Sequence, residues 1–336
     1  MLERWCRMKR WIMVMFLMMA CCLAACSKPK QQKYEKIEEI LGTVITGKVY
    51  GKNAEEGLEA AFARAREIEH IMSAKEENSE LSQLNKEAYQ KEVSVSEELF
   101  LVIKKAIYYA KLADGNFDPT IGKLIDLWGI GTEHENVPKE KEIAPLTGLK
   151  DYEQVILDEE KRTVRFLTDT VQLDLGGIAK GYVADEMKEI LTNTYGIESG
   201  TLSLGGNVMT IGNKTEGEQW VVGIADPLNP SSIIGTVQVT DKTVVTSGNY
   251  ERYFIKNNVR YHHILNPETG YPANEGIISS TIITDCSMDA DALSTAAYVM
   301  GAEDAIALIE KMEGIEAILV KEDGSIVSTD GAGFMQ

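Results

Sequence analysis

The run Leu173-Asp174-Leu175-Gly176-Gly177-Ile178-Ala179-Lys180-Gly181 brings a carboxylate, an ammonium and paired glycines into one short stretch. Its pattern predicts a strand that ends in two glycines, with a helix starting at once. Glycines let a backbone approach a ligand closely, and the first N–H groups of a helix lack partners within it, so the junction suits a phosphate. The same turn also serves simply to pack a strand against a helix. The spacing is not the dinucleotide fingerprint G-x-G-x-x-G, nor a P-loop, because Tyr182 follows Gly181 where Gly-Lys should precede Ser or Thr.

Four further groups of residues carry possible chemistry. His262-His263 ends a predicted strand before Asn266-Pro267, and only one of two neighbours on a strand can face a given site. A histidine there suits general base work near neutral pH, or a structural role. Asp285, Asp289 and Asp291 cluster at the start of a helix, where Asp291 and Thr295 share a face. A carboxylate and a hydroxyl one turn apart, joined by a backbone carbonyl, suit a hard cation such as Mg²⁺; acids at a helix N-terminus are equally explained by the helix dipole. Thr246-Ser247-Gly248-Asn249-Tyr250-Glu251-Arg252 puts hydroxyls on a turn but lacks the G-x-S-x-G elbow of a serine nucleophile. Gly115 to Gly122, with Leu127-Trp128-Gly129 beyond it, offers an aromatic and small polar groups that either grip a ring system or form a loop over a core tryptophan.

These residues need an address and a frame. Arg4, Arg7, Lys9 and Arg10 precede an apolar run, Trp11 to Cys22, and Leu23-Ala24-Ala25-Cys26 resembles a bacterial lipobox. Residues 1–25 are therefore expected to be a signal peptide, Cys26 to be lipidated, and residues 26–39 to tether the protein outside the cytoplasmic membrane. Four of the five cysteines lie in that leader, leaving Cys286 as a lone thiol that reads as a small core residue. The formal net charge is −18, and −21 without residues 1–25, which argues against nucleic acid. An anionic ligand then needs local positive charge from a metal ion, a lysine or helix N-termini.

Apolar periodicity predicts a strand over 42–50 and helices over 54–72 and 96–113. Strands follow over 155–157, 163–167, 171–175, 220–225, 234–239 and 243–246. A hairpin turns at Asn257-Asn258, helices cover 289–300 and 303–313, and a last hairpin turns at Asp323-Gly324. Helices at both ends and antiparallel signals between them argue for α+β.

Together the motifs resemble the ApbE family of FAD:protein FMN transferases. The pieces are Leu41-Gly42-Thr43, Ser79 to Asn85, Phe117-Asp118-Pro119-Thr120-Ile121-Gly122, Leu127-Trp128-Gly129, and Asp174 to Gly181. Further along come Leu204 to Asn207, Val222 to Pro227, Thr246 to Arg252, His262 to Pro272 and Ala290 to Thr295. The resemblance implies an ApbE-type α+β fold over 40–336, with a mixed or antiparallel sheet core flanked by helices. It implies transfer of the FMN half of FAD to a Ser or Thr hydroxyl of a redox protein carrying a short flavinylation motif, with Mg²⁺ and release of AMP. By the same resemblance, Leu41, Phe117, Asp118, Thr120, Asp174 and Lys180 hold FAD. The Gly177 carbonyl, Asp291 and Thr295 hold the metal, and His263 is the base. Two other activities remain open: Mg²⁺-dependent FAD pyrophosphatase, and flavin or solute binding without turnover.

Overall fold

A computed structural model describes residues 32–336. In chain order the elements are β1 (Lys33–Ile40), β2 (Thr43–Tyr50), α1 (Ala54–Met72), α2 (Glu80–Glu87), β3 (Val93–Ser94), α3 (Glu97–Leu112), α4 (Gly122–Trp128) and α5 (Glu140–Ile143). They continue with β4 (Val155–Asp158), β5 (Thr163–Phe166), α6 (Ala179–Glu189), β6 (Ser199–Leu204), β7 (Asn207–Ile211), β8 (Trp220–Asp226), β9 (Asn229–Val239) and β10 (Thr243–Gly248). Last come β11 (Tyr253–Lys256), β12 (Val259–His262), β13 (Ile277–Thr284), α7 (Ser287–Met300), α8 (Ala302–Ile309), β14 (Glu316–Lys321) and β15 (Ile326–Ser328).

The fold is α+β. An eight-stranded antiparallel sheet, ordered β1-β2-β6-β7-β10-β13-β14-β15, forms the frame. Period-two alternation divides its side chains between two cores. Val245, Ile282, Ala317 and Leu319 join the large core under the helices, while their neighbours Val244, Ile283 and Ile318 pack against Val222, Ile224, Val237 and Val239 of the β8–β9 hairpin. Over β10, β13 and β14 the sheet thus has both faces covered, which explains why β13 is buried along its whole length.

The structure alters several expectations. Residues 33–39 are not tether but part of strand β1, which pairs with β2 in continuous register, so the compact unit begins at Lys33. Charge disguises this strand: Lys36 and Glu38 point inward and are neutralised by Glu59 and Arg66 of α1. Residues 171–175 are not a ladder strand. Gln172 makes an isolated bridge to Ile121, and the Asn85 side chain both accepts from Leu173 N and donates to Leu173 O at 2.8 Å, standing in for a neighbouring strand. Two short helices, α2 and α4, and the β6–β7 hairpin lie outside the predicted elements. The leader and Cys26 lie outside the described residues. Among the described residues, no helix is long and apolar enough to cross a membrane.

Candidate active site

Helix α6 begins without a side-chain cap and with no acid in its first turn. Its carboxylate comes instead from α7: Asp291 Oδ2 accepts from Gly181 N at 3.0 Å, and Asp291 Oδ1 lies 3.2 Å from Lys180 Nζ. Helix α6 returns the favour, because Asp185 accepts from Ser287 N and Met288 N, each at 2.8 Å, at the start of α7. Each N-terminus is therefore satisfied by an aspartate of the other helix. Burial raises the Asp185 carboxyl above its usual pKa, and the backbone donors hold it down. Gly181 permits the crossing; a Cβ there would stand 2.2 Å from the Ser287 carbonyl oxygen. Asp291 is only 3% exposed, so its charge depends on Lys180 and the backbone.

The oxygen donors gather beside this pair. Thr295 lies one turn beyond Asp291 on α7, its Oγ1 3.4 Å from Ser247 Oγ, which is itself 2.8 Å from Ser294 Oγ. Gly177 passes between Phe117 and Thr295: an added Cβ would meet Phe117 Cε2 at 3.0 Å and Thr295 Oγ1 at 3.6 Å. A carbonyl, a hydroxyl and one buried carboxylate are hard donors and few, which fits Mg²⁺, an ion that keeps positions for water and phosphate oxygens. Among the described residues there is no group of three His, Cys, Asp or Glu that could hold a metal. The expected acidic cluster is dispersed, since Asp285 pairs with Lys242 at 2.6 Å and Asp289 with Lys105 at 2.9 Å.

His263 follows β12 directly. Its N–H donates to Arg252 O at 3.1 Å, and its Nδ1 lies 3.2 Å from the same carbonyl, an arrangement that puts the ring proton on Nδ1 and leaves Nε2 as the base. Surrounding protein, then Arg252 and Lys180, pull its pKa below the usual imidazole value. The residue as a whole remains exposed. His262 points the other way. It is 6% exposed, donates from Nε2 to Ala273 O at 3.0 Å, and burial pulls its pKa down to about 4.

Arg252, given no role by the sequence, joins the parts: its Nη2 donates to Gly42 O at 2.9 Å, in the β1–β2 turn. Leu41 in that turn has φ +58° and donates its N–H to Glu69 at 2.6 Å, while its side chain packs against the core. Burial raises the pKa of Asp174 against the opposing pull of the Gly176 N–H, which Asp174 Oδ1 accepts at 2.8 Å, and of Lys75 and Arg252. Asp174 N in turn donates to Pro119 O at 2.8 Å, tying the glycine turn to the Phe117–Thr120 loop. Asp118 accepts from the Thr120 N–H and hydroxyl, yet burial pushes it up to about 6. Asp118 and Thr120 line a shallow cleft with Lys123, Asp151 and Asn266. Cys286 is chemically quiet, since burial and Asp185 push its thiol up to about 12.

The ApbE family model matches residues 41–319. The chain belongs to the ApbE family. It is 32% identical to an FAD:protein FMN transferase of Treponema pallidum, covering 96% of this chain and 94% of the relative. It is 33% identical to that of Klebsiella pneumoniae, over 86% of this chain and 89% of the relative. The fold of an ApbE protein from Thermotoga maritima superposes with a TM-score of 0.82 at 36% identity, over 89% of this chain and 97% of the other. The flavin transferase ApbE of Vibrio cholerae gives 0.79 at 27% identity, with the same coverage. This member of the family is an enzyme, and its candidate site lies where α6, α7, the Phe117 loop and the base of β12 meet.

Proposed function

We propose that the protein transfers the FMN part of FAD to a Ser or Thr hydroxyl of a redox protein with a flavinylation motif, releasing AMP with Mg²⁺ as the metal. The names of its relatives support the reaction class. The observation that carries the reading is the Lys180–Asp291 pair at the start of α6, with His263 close enough to feel the charge of Lys180.

Lys180 donates to the non-bridging oxygens of the FAD pyrophosphate, and the glycine turn lets the phosphates approach the backbone. Asp291, Thr295 and the Gly177 carbonyl hold Mg²⁺, which supplies charge neutralisation when bound. His263, neutral at pH 7, accepts the acceptor proton at Nε2 while the hydroxyl oxygen attacks the FMN phosphorus. The new P–O ester forms, the bond to the bridging oxygen breaks, and its electron pair leaves with AMP. The Phe117 loop, Asp118, Thr120, Asp174 and the Leu41 turn position the flavin nucleotide. Cys26 holds the protein to the outer side of a membrane by its lipid.

Incubation with FAD, Mg²⁺ and an acceptor protein tests the reading by measuring AMP and flavin that survives denaturation on the acceptor. AMP with covalent flavin supports transfer. AMP with free FMN, whether or not acceptor is present, means a pyrophosphatase, and flavin binding without AMP means a binding protein.

A further inference from the structure

We propose that the β11–β12 hairpin is the docking surface for an acidic, extended segment of the acceptor protein, adjoining the hydroxyl that receives FMN; this rests on the transferase reading above. The hairpin stands apart from the main sheet, its strands pairing only with each other. Asn257 and Asn258, at φ +53° and +62°, form a two-residue turn of the kind that holds a hairpin in a fixed twist. Its root is anchored: Phe254 stacks on Tyr261 at 5.3 Å, and Tyr261 lies 5.5 Å from the buried Trp128 ring, whose Nε1 donates to Gly270 O at 2.8 Å. The ribbon is therefore preorganised, and binding along it orders little of this chain.

What it shows to solvent is unusual in so acidic a chain. Ile255 is 64% exposed, Val259 49% and Tyr253 40%. Lys256 and Arg260 accompany them, Arg260 lying 4.4 Å over the Tyr253 ring, and no carboxylate occurs from Tyr253 to His262 in a chain of net charge −18. A cationic, apolar ribbon selects an acidic segment with apolar contacts. The unpaired outer edges of β11 and β12 also offer backbone groups to an extended chain. The position decides the partner: the hairpin begins at Arg252 and ends at His263, which share the bond from His263 N to Arg252 O. A segment lying along the ribbon delivers its next residues to the proposed base.

The test compares wild type with I255S/K256E and, separately, V259S/R260Q, all on exposed positions away from the phosphate and metal residues. Steady-state transfer is measured against acceptor concentration, alongside acceptor-free AMP release and FAD affinity. The expected result is a KM for acceptor raised about 10-fold or more, the effect of losing one good contact, with kcat, AMP release and FAD affinity held within about twofold. An acceptor with lysines in place of the acids beside its hydroxyl should recover on I255S/K256E. Transfer by wild type with unchanged KM in both variants overturns the hairpin proposal alone. A wild type that attaches no flavin overturns the transferase reading and the hairpin proposal with it.

Discussion

Gly181→Ala sets two effects of opposite sign against each other. Intrinsic propensity favours alanine over glycine inside a helix by about 1 kcal/mol. Here the new Cβ would meet Ser287 O at 2.2 Å, Ser287 C at 2.5 Å and Met288 Cα at 2.6 Å. All three are backbone atoms, so no rotamer change relieves them and α6 must withdraw from α7. Overpacking of this kind costs about 1–3 kcal/mol. The withdrawal also stretches the Gly181–Asp291 bond at 3.0 Å and the two Asp185 bonds at 2.8 Å. Hydrogen bonds to charged groups contribute about 1.5–3 kcal/mol each, so losing even one outweighs the propensity gain. The expected net loss is about 3 kcal/mol, a fall in urea midpoint of about 1 M or more at an m-value of about 1–3 kcal/mol/M. Lys180→Ala makes no clash but leaves the buried Asp291 carboxylate without its cation, so it should lower the midpoint by a comparable amount and harm catalysis at least as much. A midpoint for Gly181→Ala equal to or above wild type would refute the close-packing argument.

Asp291→Asn should abolish Mg²⁺-dependent AMP release while a cooperative unfolding transition remains; full activity would remove Asp291 from the metal site. His263→Ala should keep FAD affinity and lower transfer by about 10²–10⁴-fold, the usual contribution of a general base; a loss below about 10-fold would sink that role. His262 should shape stability against pH, since its folded pKa is about 4 and its unfolded value about 6.5. Between those values the unfolded chain binds a proton that the native state refuses, so stability falls as pH drops from 6.5 towards 4, by about 3 kcal/mol. His262→Gln should flatten that part of the curve, and an unchanged slope would assign it to other groups.

The sequence disclosed the site better than the frame that holds it. Lys180, Asp291 and Thr295 lie on two helices far apart in the chain, with Gly177 in the turn before the first, yet helical spacing put Asp291 and Thr295 on one face, and the structure sets that face against α6. Strand alternation similarly required the two histidines to part, and they do. Asp285 and Asp289 carried the same apparent signal as Asp291, but cations on β10 flank and α3, invisible to local pattern, claim them. Asp185 offers no local clue either: it looks like a solvated helix acid and instead caps a helix a hundred residues on. Strand β1 escaped because its inward positions include Lys36 and Glu38, whose apolar stems and paired charges replace the hydrophobic alternation on which strand recognition depends. Arg252 had only its place beside a flagged turn to recommend it, since its bond to Gly42 O spans most of the chain.

The acidity of the protein opposes an anionic ligand, and the charges around the proposed site predict how salt acts on binding. At physiological ionic strength charges beyond about 8 Å are largely screened, so the net charge of −18 weakens with distance while the groups nearest the phosphates do not. Those groups are Lys180, Arg252 and Lys75 with the start of α6, set against Asp291, which pairs with Lys180, and against Asp174 and Glu251, whose carboxyl pKa values burial raises. Around the glycine turn three cations and a helix start thus face three carboxyl groups, two of them with raised pKa, so the local balance leans positive even though the surface does not. Adding salt should then weaken FAD binding, because it screens a net attraction, and Lys180→Ala should reduce that dependence. Were the global charge in control, salt would relieve a repulsion and tighten binding instead. A titration of FAD affinity from low to high salt, in the presence of a fixed Mg²⁺ activity, decides between them by the sign of its slope.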